Sequence, residues 1–236
     1  MYKFFISFLR QLENNIFPGR CSVCHHAGPA ICPACRASIN RLPISCPLCG
    51  QASARGLICS ECADGNNLSF DGLIAYASYE DAKLKSALHA LKFQGTVDIG
   101  LLLGKMLGRR LLSIWPREES ERPLLIPLPL HPRRKRERGY NQAQLIAAGV
   151  AAVTGWPLQG DALKRTRYQA PSSSLGYRHR QQQDKIFVYE GENINNQTVI
   201  LIDDIITTGE TASTAAQALK NGGAGTVVVA TIARAG

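Results

Sequence analysis

No stretch of this 236-residue chain approaches the roughly twenty consecutive apolar residues that a membrane-spanning helix needs, and a helical membrane span is excluded. Arg10 interrupts any signal-peptide core near the start, and no small-residue cleavage site follows it. The chain is therefore expected to be cytoplasmic. No cysteine is left over, because all eight fall into Cys-x-x-Cys pairs. Acidic residues are the minority, 18 Asp and Glu against 27 Lys and Arg, for a formal charge of +9 and an isoelectric point near 9.3. That balance favours anionic partners: nucleotides, nucleic acid or a membrane surface. With 45% hydrophobic residues the chain can bury a core, and its length suits one substantial domain and one small one.

Phe5, Phe8, Leu9, Leu12 and Ile16 form a helical stripe at the start, expected to pack on the rest of the protein, with docking on a partner or a membrane surface as the alternative. The cysteines follow as Cys21/Cys24, Cys32/Cys35, Cys46/Cys49 and Cys59/Cys62. Zinc takes four thiolates in a tetrahedron and each knuckle supplies two, so four knuckles make two closed sites. Sequential pairing is the simplest arrangement, and an interleaved cross-brace stays open. Disulfides are the rival, disfavoured by a cytoplasmic setting and by the strict pair spacing. With eight thiolates available, His25 and His26 are not needed as ligands and are read as exposed. Closed sites leave the zinc a structural role, and a segment this short should unfold without it. This amino-terminal helix and double ribbon are assigned to residues 1–66.

The second domain, 67–236, opens after the polar turn at 64–67. A strand is expected at 73–79, then a helix at 80–93 with Leu84, Ala87, Leu88 and Leu91 inward and Lys83, Lys85 and Lys92 outward. A helix at 97–114, a polar loop at 115–123 and a short buried strand at 124–126 come next. The stretch 127–142 is expected to be a basic loop, with Arg133, Arg134, Lys135, Arg136 and Arg138 set after a proline-rich strand end and before a helix at 141–153. A second basic segment, 164–185, interleaves Arg165, Arg167, Arg178 and Arg180 with Tyr168 and Tyr177. Such a pattern suits single-stranded nucleic acid, whose bases stack and whose phosphates pair with arginine, and equally suits a lid over pyrophosphate.

Residues 199–211 carry the sharpest chemistry. Val199-Ile200-Leu201-Ile202 reads as a strand buried on both faces, Asp203 and Asp204 stand at its carboxyl edge, and Thr207-Thr208-Gly209-Glu210-Thr211 leads into an alanine-rich helix. A helix amino terminus with free amides holds a phosphate. The carboxylates would repel that phosphate, so they must face hydroxyl donors or a cation, and a ribose diol fits. A phosphate one sugar's length from vicinal hydroxyls is a ribose 5-phosphate.

This motif resembles the phosphoribosyl pyrophosphate loop of the type I phosphoribosyltransferases. The resemblance implies an α/β fold, a parallel sheet flanked by helices, with Asp203 and Asp204 on the ribose hydroxyls and Thr207, Thr208, Gly209, Glu210 (through its backbone) and Thr211 on the 5′-phosphate. With the four knuckles, Leu91-Lys92-Phe93-x-Gly95, Pro127-Leu128-Pro129, Arg133, Arg138-Gly139-Tyr140-Asn141-Gln142 and Ala233-Arg234, nearly the whole chain resembles the ComF family. Its members join a double zinc ribbon to a phosphoribosyltransferase-like domain and handle incoming single-stranded DNA in natural transformation. The implied ligands are two structural zinc ions, phosphoribosyl pyrophosphate with Mg²⁺ and Arg133 facing the pyrophosphate, and single-stranded DNA on the basic residues of both segments. Other competence proteins are the partners expected of the amino-terminal region. The departure lies at 169–172, Gln-Ala-Pro-Ser where the family has Thr-Pro-Pro-Gln, and in Arg180-x-x-Gln183 for Arg-x-x-Asn. The alternative is an active phosphoribosyltransferase transferring ribose 5-phosphate to a nitrogen base, although Thr207 stands where purine-type enzymes carry an acidic base.

Overall fold

Strand β5 (Thr198–Ile206) runs through the middle of a four-stranded sheet because every residue of its aliphatic run has somewhere to be buried. Ile200 and Ile202 point into one core with Val228, Ala230 and Ile232, while Val199 and Leu201 point into the other with Val227 and Val229. Period-two burial on both faces is what a parallel sheet covered on two sides demands. In this computed structural model residues 19–115, 122–166 and 186–236 are described. The expected helix at 5–16 and Arg167, Arg178 and Arg180 fall outside them.

The sheet order is β1-β6-β5-β2, all parallel, formed by β1 (Gly72–Ser78), β2 (Leu124–Pro127), β5 and β6 (Thr226–Arg234). One face carries α3 (Ala82–Phe93), α4 (Val97–Leu112) and α6 (Gln142–Thr154); the other carries α7 (Glu210–Asn221). A small antiparallel pair, β3 (Leu163–Arg165) and β4 (Phe187–Tyr189), lies beside α7. Helices begin on polar caps where the sequence supplies them: Asp81 accepts from the amides of Lys83 and Leu84, and Asn141 from that of Ala143. Trp115, expected in a polar loop, is buried edge-on against Trp156, because the end of α4 delivers it to the core.

The α4–α6 contact is made of backbone. A methyl group on Gly104 would lie 2.1 Å from the Ile146 carbonyl oxygen and 2.9 Å from Gly149 Cα, and one on Gly149 would lie 2.3 Å from the Leu101 oxygen. Neither helix can yield without moving the other. Gly104→Val is expected to lower the unfolding free energy by about 3 kcal/mol or more, read by denaturant titration at unchanged slope. A loss below about 1 kcal/mol would mean the helices separate easily.

The ribbons lie against the sheet rather than apart from it. Short helices α1 (Pro33–Ala37) and α2 (Ser60–Ala63) follow the second and fourth knuckles' first cysteines. Cys21, Ile31, Cys35 and Ile39 share a core with Ile74, Leu84 and Leu88. The Leu42 amide donates to the Tyr76 carbonyl on the outer edge of β1 at 3.0 Å, and that of Ile58 to the carbonyl of Asp71, just before the strand, at 2.8 Å. From the far end of the chain, Arg234 donates to the Pro47 carbonyl at 3.0 Å and ties the sheet to the third knuckle.

Candidate functional site

Strand β5 does not stop before the acidic pair, as the sequence suggests, but continues through it to Ile206, with Asp203 in register beside the buried Thr231 of β6. The hydrogen-bonded ladder thus holds both carboxylates rigidly at the carboxyl edge of the sheet. Burial, and then the neighbouring Asp204 charge, push the Asp203 carboxyl well above the usual carboxylate range, against the pull of the Asp204 amide and Lys92. Asp204 is paired: Lys92 Nζ lies 2.9 Å from its Oδ2. The helical pattern of 80–93 assigns Lys92 to solvent, but it sits at the last turn of α3, where the end of β5 brings a carboxylate to meet it. Its one signal in the sequence is membership of Leu91-Lys92-Phe93-x-Gly95. Tyr140 clamps that turn, its hydroxyl donating to the Leu91 carbonyl.

Thr207 and Thr208 are exposed and lead to Gly209, which starts α7 at φ +81°. A side chain is strained in that left-handed region. Gly209 has no side chain to cap this helix, Thr208 Oγ1 accepts from the Glu210 amide at 3.4 Å, and residues 209–212 line the cavity with the positive end of the helix dipole. Glu210 is exposed at the first helical position, Thr211 beside it.

The expected basic loop contains a helix, α5 (Pro132–Arg138), started by Pro132 with His131 Nδ1 accepting from the Arg133 amide at 3.2 Å, and stopped by Gly139 at φ +81°. Helical spacing then sorts its cations. Arg134 and Arg138, four apart, line the cavity with Asp203, Asp204 and residues 207–211. Arg133 does not line it; its Nε lies 3.2 Å from Glu137 Oε1, and it, Lys135 and Arg136 are exposed on the other faces. Arg165, expected in a loop, is in β3, stacked 5.3 Å over the Phe187 ring, and also lines the cavity. Burial first, and then Arg165, Arg136, Arg134 and Arg133, lower the pKa of His131, so its imidazole is neutral there. Gln142 is buried with its side-chain nitrogen unpartnered, a donor on the cavity wall whose one signal in the sequence is membership of Arg138-Gly139-Tyr140-Asn141-Gln142. The space is about 320 Å³. Its lining combines carboxylates, a helix amino terminus and guanidiniums, and it can hold a molecule with both hydroxyl and phosphate groups.

The eight cysteines gather as Cys21, Cys24, Cys32, Cys35 and as Cys46, Cys49, Cys59, Cys62, the sulfurs of each group within 4.8 Å of one another. The pairing is sequential. A tetrahedron with metal–sulfur bonds of about 2.3 Å has edges of about 3.8 Å. The Cys24 and Cys32 sulfurs are 3.7 Å apart, as are those of Cys49 and Cys59. Burial alone would raise the Cys21 thiol, but the amides of Cys24, Cys32 and Val23 outweigh it and bring it down to about 6. Both groups can hold a zinc ion. His25 and His26 are exposed beside them.

Residues 144–236 match the phosphoribosyl transferase domain family. A DNA utilization protein, YhgH, of Salmonella typhi is 28% identical over 90% of this chain and 95% of its own. Competence protein F of Haemophilus influenzae is 27% identical over 94% and 99%, and competence protein ComFC of Bacillus subtilis 27% over 82% and 79%. Among solved structures, the allosteric regulatory enzyme of purine biosynthesis is 18% identical at a TM-score of 0.42, over 61% of this chain and 30% of that one, a likeness too partial to bear on function.

Proposed function

We propose that this chain, a homologue of the ComF competence proteins over most of its length, binds phosphoribosyl pyrophosphate and single-stranded DNA in the cytoplasm and handles incoming DNA in natural transformation. The observation that carries the reading is the single cavity lined by Asp203 and Asp204, by the start of α7, and by Lys92, Arg134, Arg138 and Arg165. Asp203 and Asp204 take the ribose hydroxyls, Thr207 to Thr211 the 5′-phosphate, and the cations the pyrophosphate. Mg²⁺ would accompany the pyrophosphate and offset part of its charge, since that ion keeps much of its water and needs few protein ligands. Zinc in the two four-cysteine groups holds the ribbons folded. DNA runs over the outer faces of α5, whose Arg133, Lys135 and Arg136 are exposed and off the cavity.

The division of labour within α5 supplies the test. Arg133→Ala/Lys135→Ala/Arg136→Ala is expected to weaken oligonucleotide binding and flatten its salt dependence, the log–log slope falling by about 0.7 for every phosphate that the protein ceases to neutralise. Calorimetric affinity for phosphoribosyl pyrophosphate should be unchanged. Sequence preference should hold, since interactions with the strand's backbone carry no base information directly. Unaltered DNA affinity and slope would reject the DNA face, and undetectable phosphoribosyl pyrophosphate binding by the unmodified protein would reject the cavity's assignment. An active phosphoribosyltransferase transferring ribose 5-phosphate to a nitrogen base is the second reading, in keeping with the match of residues 144–236 to the phosphoribosyl transferase domain family. Pyrophosphate release with a panel of nitrogen bases decides for it.

A further inference from the structure

A second cavity, of about 310 Å³, opens between the first ribbon and α4, and shares no residue with the first. Arg36 of α1, Arg41 on the segment leading from the ribbon along β1, and Arg109 and Arg110 of the last turn of α4 line it, over a floor that includes Tyr76 and Met106. No carboxylate lines it, and among the described residues none of these four arginines is in an ion pair. Arg110 is oriented by its Nη2, which donates to the Leu42 carbonyl at 2.8 Å, and Arg41 lies 5.8 Å over the Tyr76 ring. The Nε atoms of Arg36 and Arg110 are closed off from solvent and have no hydrogen-bond partner among the described residues. A buried donor without a partner is costly, and so is a cluster of like charges in a partly dry space. An anion relieves both at once. Guanidinium forks match the oxygens of a phosphate group with two parallel hydrogen bonds.

We propose that this cavity is a phosphate-binding site, taking the phosphate group either as a free anion or as one link of a nucleic-acid strand. Its place is fixed by the ribbon. Arg36 and Arg41 come from the metal-held segment and Arg109 and Arg110 from α4, so the site exists only while the two are docked. It stands independently of the phosphoribosyl reading, since none of its residues belongs to that cavity.

The test uses zinc-loaded, full-length protein labelled with ¹⁵N-arginine, whose Arg36 and Arg110 side chains report on the second cavity and not on the first. The Nε–H signals of Arg36 and Arg110, identified by their loss in Arg36→Lys and Arg110→Lys, are followed during titration with inorganic phosphate in one arm and oligothymidylate in the other. The expected result is saturable movement of both signals at about millimolar ligand or below, weakened at least about tenfold in Arg41→Ser/Arg109→Ser. Both of those residues are exposed, so that variant should keep its fold. Saturation by phosphate alone identifies a small-anion site; tighter saturation by the oligonucleotide identifies a strand. Signals that stay still in both arms, or that move equally in the double variant, overturn the proposal. Where exchange broadens the signals, the phosphate-induced rise in thermal midpoint over chloride at equal ionic strength is compared between the unmodified protein and the double variant. A smaller rise in the double variant is expected, and an equal rise there would be equally fatal.

Discussion

Replacing Asp203 and Asp204 together with asparagine is expected to remove phosphoribosyl pyrophosphate binding and leave oligonucleotide affinity intact. Each hydrogen bond to a charged group contributes about 1.5–3 kcal/mol, so losing the charge on both carboxylates should weaken the ligand roughly a hundredfold or more. Titration calorimetry with phosphoribosyl pyrophosphate and fluorescence titration with an oligonucleotide, on one preparation, separate the two effects. A double variant that binds phosphoribosyl pyrophosphate like the unmodified protein would remove the diol assignment. The single variant Asp203→Asn carries a second expectation. In the unfolded chain this carboxyl ionises near the ordinary value of about 3.9; in the folded protein, burial and Asp204 hold its proton to higher pH. The folded state is thus favoured most below the unfolded pKa, and that contribution is lost as pH rises through the raised folded value. Asparagine carries no such pH-dependent cost, so Asp203→Asn should raise the thermal midpoint at pH 7 to 8 and change it little near pH 4. Equal shifts at both pH values would contradict the sign. Asp204 is not expected to behave this way, because its loss would strand Lys92.

The largest effect on folding is expected from the first metal site. Metal-replete protein should contain two zinc ions by elemental analysis, and Cys35→Ser should lower the unfolding midpoint of the whole chain. A structural zinc ion contributes about 10–16 kcal/mol to the folding of small ribbons, as much as the entire stability of an ordinary domain. Cys21 and Cys35 are buried in the same core as Ile74, Leu84, Leu88 and Leu91, so the damage reaches the sheet. The second site is attached differently. Cys49 is exposed, and no cysteine of that group belongs to either core. Cys49→Ser should therefore release one zinc and leave the main unfolding transition near that of the unmodified chain. Identical midpoints for the two variants would show that the ribbons do not differ in this way.

The parts of the site legible in the sequence are those made by neighbours. The run 199–202, the carboxylates after it and the alanine-rich helix are local, and so is each Cys-x-x-Cys knuckle; short links also make sequential pairing the simplest choice. Helix periodicity misplaces Lys92 because it reports only which face is apolar, and the partner that turns this lysine inward is Asp204, brought there by the sheet. The helix in 132–138 does leave signals, Pro132 at its start and Gly139 just past its end, but a run of cations obscures them. A loop would give all five cations one role, whereas a helix sends Arg134 and Arg138 inward and Arg133 outward. The second cavity is out of reach of sequence reasoning, since its arginines at 36, 41, 109 and 110 meet only after the ribbon docks.

Strand β1 is the outermost of its sheet, and its free side would offer a row of unmet backbone carbonyls and amides to any passing chain. That side is covered by the ribbon segments that bridge Arg41 to Ala77 and Leu57 to Gly72. The opposite border is shielded too, by the bridge from Leu158 to Leu125 on β2. The metal-held segment is thus a guard against self-association as well as a fold of its own. Stripped of zinc, the chain would bare a straight, aliphatic border strand, and the product to look for is intermolecular sheet: light scattering and a β-type infrared band that grow with protein concentration.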